Sequence, residues 1–215
     1  MVLKPENLSF EQAAAAPIAG LTALQGLRDR GHLQPRHKVL INGAAGGVGT
    51  CAVQIAKAFG ASVAGVCSTR NVEMIRSLGA DRAIDYTRDD FTQDGGRYDL
   101  LLDNVGNRPL SALRRILAPN GTCVMVGAPK ELGAVLARLL ETFARSLFLR
   151  QKFPFFIAKV NRDELAGLCE LMKAGKMTPV IDKRYPLNET GDAIAYVEEG
   201  HARAKVVITV EYVGH

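Results

Sequence analysis

Short runs of almost wholly apolar residues recur along the chain, separated by segments whose apolar positions lie three and four apart. Runs at Lys38–Asn42, Ser62–Cys67, Arg82–Tyr86, Tyr98–Asp103 and Gly121–Val126 predict strands. They show little alternation of apolar and polar positions, which is the pattern of strands buried on both faces of a sheet. The intervening Val48–Phe59, Asn71–Leu78 and Arg108–Leu117 carry helical spacing. Gly60 and Gly79 follow two of these helices, at the position where a chain leaving a helix needs positive φ. Pro119-Asn120-Gly121 predicts a turn. Strand alternating with helix predicts an α/β fold of Rossmann type: a doubly wound parallel sheet with helices on both faces.

The flanks have a different rhythm. Ser9 and Gln12 fit a capping box, predicting a helix from Phe10 to about Ala16. Pro17 and Gly20 are expected to break it, and a second helix, Leu21–Arg30, ends at Gly31. Beyond Gly127, Leu132–Arg145 reads as a helix and Ser146–Lys152 as a strand, followed by an aromatic knot at Phe153, Pro154, Phe155 and Phe156. Asp163–Ala174 reads as a helix, Val180–Leu187 as an edge strand, Asn188–Glu199 as a helix and Lys205–Val210 as a last strand.

The candidate chemistry begins where the first strand ends. Gly43, Ala44, Ala45, Gly46, Gly47, Val48 and Gly49 make a glycine-rich turn into a helix, matching the dinucleotide fingerprint at Ala44, Gly46 and Gly49. A helix N-terminus presents unpaired N–H groups and a positive dipole end, so a pyrophosphate settles there if no bulky side chain intervenes. The end of the second strand then sets cofactor choice. An acid there binds ribose hydroxyls. This chain has Ser68, Thr69 and Arg70 instead, and an arginine holds phosphate oxygens through charge-assisted bonds. The residues favour NADP(H) over NAD(H).

Composition narrows the function further. The chain of 215 residues, 47% hydrophobic and 23% charged, suits one large domain with an appendage. A net charge of +5 is scattered among acids, as in Arg28-Asp29-Arg30, so no nucleic-acid stripe is indicated. Cys51, Cys67, Cys123 and Cys169 lack metal-ligand spacing and read as buried free thiols of a reducing compartment. His32, His37, His201 and His215 have no zinc-site spacing. No signal peptide is evident, and the longest apolar run, Gly121–Ala128, is too short to span a bilayer. The expectation is a cytoplasmic protein that does not enter membranes. No tyrosine precedes a lysine at the spacing short-chain dehydrogenases use, and no acid follows strand two as Rossmann methyltransferases usually require.

These motifs together resemble the medium-chain dehydrogenase/reductase superfamily, in its zinc-free quinone oxidoreductase, zeta-crystallin-like branch. The resemblance is carried, in family order, by Ala15–Leu27, Val39–Ala61, Leu78–Phe91, Asp103–Gly106, the Pro119-Asn120-Gly121 turn and Gly200–Ile208. It implies roles for residues. Thr22 would sit beside the nicotinamide ribose and phosphate. Ala45, Gly46, Gly47, Val48 and Gly49 would hold the pyrophosphate. Ser68, Thr69 and Arg70 would meet the 2′-phosphate with Tyr86 nearby. Asn104 and Val105 would pass the ribose and nicotinamide. Val126, Gly127 and Ala128 would face the carboxamide. No catalytic side chain is assigned. Zinc-dependent relatives carry a cysteine four residues before the threonine; here that residue is Ile18, so no metal is expected. Substrates in the branch are quinones, enones and other activated alkenes.

The resemblance also implies a preceding GroES-related catalytic domain. Residues 1–31 would then be its helical lead-in, 32–160 the dinucleotide-binding domain, and 161–215 the segments that return to it. Val180, Ile181, Tyr185, Leu187 and Val206–Val210 would lack their usual partner and repack, stay mobile or expose an apolar patch. Edge-strand pairing through Leu147, Phe148 and Leu149 would make a homodimer. The expected function is the cofactor-binding part of an NADPH-dependent reductase. The rivals are a non-catalytic NADPH-binding module and an inactive fragment.

Overall fold

The computed structural model describes residues 2–126, 150–200 and 202–210. Six strands form one parallel sheet: β1 (Lys38–Asn42), β2 (Ser62–Cys67), β3 (Arg82–Asp85), β4 (Tyr98–Asp103), β5 (Leu117–Val126) and β6 (Phe155–Phe156). Their order is β3-β2-β1-β4-β5-β6. β1 pairs with β2 from Lys38 against Ser62 to Asn42 against Val66, and with β4 from Val39 against Leu100 to Asn42 against Asp103.

Successive side chains of each strand enter two different cores. Val39, Ile41, Leu100 and Leu102 pack under α2 (Pro17–Gln25), α3 (Gly47–Ala58) and α4 (Val72–Ser77). Leu40 and Leu101 pack with Leu113 and Ile116 of α5 (Leu110–Ile116) and with Phe91. Burial on both faces is why these strands read as unbroken apolar runs. Each fully buried leucine or isoleucine contributes about 2 kcal/mol of hydrophobic stabilisation.

Several boundaries depart from the sequence reading. The capping box forms as expected: Ser9 Oγ accepts from the Gln12 amide at 3.1 Å, and Gln12 Oε1 accepts from the Ser9 amide at 2.9 Å. It opens α1 (Phe10–Ala15). Pro17, however, begins α2 at its first position, where its missing N–H costs nothing. Gly20 lies within α2, where a Cβ would fall 2.7 Å from Leu168, so this glycine admits a neighbouring helix instead of breaking its own. A π-helical turn, Gly26–Arg30, continues α2 to Gly31. A 3-10 turn, Thr69–Asn71, precedes α4. Pro119-Asn120-Gly121 falls within the bounds of β5 but has no partner on β4: the pairing passes from Tyr98 against Leu117 to Leu100 against Thr122, and the expected turn residues lie in that irregularity.

The C-terminal part contains α6 (Arg162–Lys173), β7 (Ile181–Pro186), α7 (Thr190–Glu198) and β8 (Lys205–Thr209). β7 is an edge strand, as expected, but not of the large sheet. It pairs in parallel with β8 in a separate two-stranded sheet, from Ile181 against Lys205 to Pro186 against Thr209. The two segments expected to lack partners therefore serve each other. Leu187, Ile194, Val197 and Val210 remain exposed beside them. The expected helix Leu132–Arg145, Gly127, Ala128 and the Leu147–Leu149 edge lie outside the described residues. Among the described residues, no helix is long and apolar enough to cross a membrane.

Candidate cofactor-binding site

The strand order reverses between β1 and β4, and the crevice beyond the carboxyl ends of such strands is where α/β sheets bind ligands. A cleft of about 840 Å³ opens there. Ala45, Gly46, Gly47, Val48 and Gly49 line it from the start of α3, Ser68, Thr69 and Arg70 from the end of β2, Tyr86 from the end of β3, and Asn104 and Val105 from the end of β4. These residues are dispersed through the chain, and the topology brings them to one crevice.

The floor of the cleft is built by the glycine turn. Gly43 has φ of 75°, a left-handed conformation that a side chain would strain. A Cβ on Gly49 would lie 2.2 Å from the Gly43 carbonyl oxygen and 2.6 Å from the Ala44 backbone, so only glycine lets α3 start this close to β1. Gly46 is the N-cap of α3 and no side chain caps the helix. Its imagined Cβ meets only the Gly43 oxygen, at 3.5 Å, with open space elsewhere. The C-terminal return closes one side of the turn: the Ala204 amide donates to the Ala45 carbonyl at 2.8 Å, and the Lys205 stem lies over Gly47.

Polar side chains tie the two halves of the crevice. Asn42 Nδ2 donates to Asp103 Oδ1 at 2.9 Å and to Asn107 Oδ1 at 3.1 Å. Asp103 Oδ1 also accepts from the Val105 and Gly106 amides. At the other end, Asp85 accepts from the Thr69 and Thr87 hydroxyls. The Thr69 bond, aided by those from Thr87 and by Arg88, holds the Asp85 carboxyl below the usual range. Cys67 faces the cleft, but burial pushes its thiol up to about 11, and the same effect puts Cys51 at about 12. Neither thiol is a nucleophile at neutral pH. Cys169 is only half-buried, unlike the other three cysteines.

Two expected residues are not brought into this cleft. Thr22 is buried in α2, and its hydroxyl donates to the Ile18 carbonyl of the same helix at 2.7 Å. Val126 ends β5, half-buried, one strand beyond β4. Conversely, Asn42, Asn71, Thr87, Asn107, Gly200 and Ala202 line the cleft and were not anticipated. Asn42 carried a legible signal, a polar residue closing an apolar strand. Gly200 and Ala202 carried none, because only the distant return of the chain brings them there.

The residues present fit a nicotinamide dinucleotide. The glycine cradle leaves the approach over Gly46, the N-cap of α3, free of side chains, and arginine and hydroxyl groups gather where the adenosine ribose lies in such folds. Among the described residues, Asn71 Oδ1, Asp103 Oδ2 and Asn104 Oδ1 are buried without partners, all on or behind the cleft wall. Unsatisfied buried groups of this kind are rare and cluster at functional sites. Among the described residues no group of three or more histidine, cysteine or acidic side chains is placed to hold a metal ion.

Comparison with known proteins agrees with this geometry. Residues 78–208 match the family model for zinc-binding dehydrogenases. The chain is 37% identical to the 2-methylene-furan-3-one reductase of Solanum lycopersicum over 97% of its own length and 49% of that protein's. It is 36% identical to the mitochondrial NAD(P)H oxidoreductase RTN4IP1 of Bos taurus, covering 96% of the chain and 57% of the relative. The solved quinone oxidoreductase of Coxiella burnetii superposes with a TM-score of 0.85 at 33% identity, over 98% of this chain and 64% of that one. The chain thus spans about half to two thirds of these relatives. The switch-point cleft, the glycine cradle and these matches place it in the zinc-binding dehydrogenase family, as the cofactor-binding region of a medium-chain dehydrogenase/reductase.

Proposed function

We propose that this chain is the cofactor-binding region of an NADPH-dependent, zinc-independent oxidoreductase that transfers hydride to quinones or to activated alkenes and carbonyls. One observation carries the reading. The start of α3, the ends of β2 and β3 and the end of β4 line a single cleft at the switch point. In that cleft Gly46–Gly49 would hold the pyrophosphate. Ser68 and Arg70 would hold the 2′-phosphate beside Tyr86, and Asn104 and Val105 would meet the nicotinamide half. Asn42, bonded to Asp103 and Asn107, anchors the 104–107 loop at the mouth of the cleft. Ile18 has no lone pair to give a metal, which supports a zinc-independent reaction.

When bound, the nicotinamide supplies the hydride; the chain supplies orientation and a surface that excludes water from the ring. The substrate class rests on the relatives. One is named a quinone oxidoreductase, and another a reductase of a furanone whose methylene is conjugated to a ketone. Both substrates offer an electron-poor carbon to hydride. The test is NADPH consumption by the purified chain with a simple quinone and with a simple enone. Turnover with either supports the reading. A sample that binds NADPH yet consumes it with neither refutes catalysis by this chain.

A further inference from the structure

Asp85 does not itself line the cleft, yet it is bonded to two residues that do. Its side chain is nearly buried at the end of β3. Asp85 Oδ2 accepts from the Thr69 hydroxyl at 2.5 Å; Oδ1 accepts from the Thr87 hydroxyl at 2.7 Å and the Thr87 amide at 3.0 Å. Arg88 Nε stands 3.5 Å from Oδ2. Thr69 and Thr87 are exposed, both line the cleft, and their hydroxyl oxygens are 3.0 Å apart.

A threonine hydroxyl has one proton and two lone pairs. An ionised carboxylate only accepts, so each hydroxyl spends its proton on Asp85 or, across the 3.0 Å contact, on the other threonine, and none is left for the cleft. What the two threonines turn to the cleft is therefore lone pairs alone. Lone pairs receive a ribose hydroxyl, which has a proton to give, and repel a phosphate dianion, which has none. Ser68 and Arg70 on the same wall have the opposite bias.

We propose that Asp85 is a specificity-determining positioning residue: it orients Thr69 and Thr87 as acceptors, which favours a ribose 2′-hydroxyl and limits the preference for a 2′-phosphate set by Ser68 and Arg70. The inference rests on the reading of the cleft as a nicotinamide dinucleotide site. It makes the preference for NADPH a balance of two opposed pairs, with NADH retained as a weaker ligand.

The test is titration of NADPH and NADH into the parent chain and into Asp85→Asn, Thr87→Val and Thr87→Ser. An asparagine offers one acceptor and one donor, so one threonine reverses and turns its proton to the cleft. Asp85→Asn is expected to raise the NADPH-to-NADH affinity ratio about tenfold, the effect of one favourable hydrogen bond replacing one repulsive contact. Thr87→Val, an exposed and nearly isosteric change, is expected to weaken NADH about threefold to tenfold while leaving NADPH unchanged or tighter. Thr87→Ser is expected to restore the parent ratio. A purely structural role for Asp85 changes both affinities together and leaves the ratio fixed, and that result overturns the inference. If Asp85→Asn does not fold, the two Thr87 variants decide: an unmoved ratio in Thr87→Val overturns it as well. A folded parent that binds neither nucleotide overturns the reading of the cleft itself.

Discussion

The glycine turn allows stability and binding to be separated by one methyl group placed at two positions. In Gly49→Ala the new Cβ would lie 2.2 Å from the Gly43 oxygen and 2.6 Å from two Ala44 backbone atoms. These are backbone atoms of the turn and the start of α3, and no flexible side chain can yield. Forced overpacking of this kind costs about 1–3 kcal/mol, and a rigid backbone clash lies at the upper end. In Gly46→Ala the nearest atom is 3.5 Å away and φ is −79°, which alanine adopts freely. Two small terms then oppose each other. Alanine is a poorer N-cap than glycine by about 0.5–1 kcal/mol. It also restricts the unfolded chain, which returns about 0.4–1 kcal/mol. Net stability should change by less than about 1 kcal/mol. The methyl nevertheless occupies the space over the helix start, where an anion would approach the backbone. Losing one charge-assisted bond to a phosphate costs about 1.5–3 kcal/mol, or roughly ten- to a hundredfold in affinity. Urea denaturation and NADPH fluorescence titration on both variants give the answer. Gly46→Ala should melt like the parent and bind poorly; Gly49→Ala should lose stability first. A Gly46→Ala variant with parental NADPH affinity would refute the cradle.

Other expectations concern the scaffold. Ala204, whose amide closes the glycine turn, has φ of 56°, so Ala204→Gly should raise stability by about 0.5–1 kcal/mol in urea denaturation. Leu102→Ala in β4 removes a wholly buried side chain and should cost about 2–5 kcal/mol by the same method. The Thr69 hydroxyl holds Asp85 below the usual carboxyl range, and the Thr92 amide does the same for Asp90. Their unfolded values are near the ordinary ~3.9, so their stabilisation is fully present above that value and is lost as pH falls through the lower folded values. Chemical denaturation repeated from pH 5 down to pH 2 should show this fall, with a shallower slope in Asp85→Asn.

The central sheet was legible because burial on both faces leaves β1, β2 and β4 apolar at nearly every position, and the glycine cradle because its function forbids side chains. What the sequence concealed depends on context. Pro17 could end one helix or begin another, and the packing of Leu168 on Gly20 decides that α2 runs through. Pro119-Asn120-Gly121 has turn residues, and it interrupts the pairing of β5 with β4 without ending the strand. Thr22 lies in a stretch that resembles the family's; that its hydroxyl gives its proton to Ile18 of the same helix, leaving only lone pairs, shows only in the fold. The pairing of β7 with β8, and the arrival of Ala204 at Ala45, join residues far apart in the chain that share no local pattern. Asp85 looked like the end of a strand; its effect on the cleft exists only once Thr69 and Thr87 stand on either side of it.

In the function proposed for this chain, one cleft at the switch point binds a nicotinamide dinucleotide and favours the 2′-phosphorylated form through Ser68 and Arg70. Its most direct test is titration of NADPH and NADH into the parent chain and into Arg70→Glu. The parent should bind NADPH more tightly than NADH, and Arg70→Glu should lose about tenfold or more in NADPH affinity with NADH little changed. Equal parental affinities for the two nucleotides, or an equal loss of both in the variant, would contradict it.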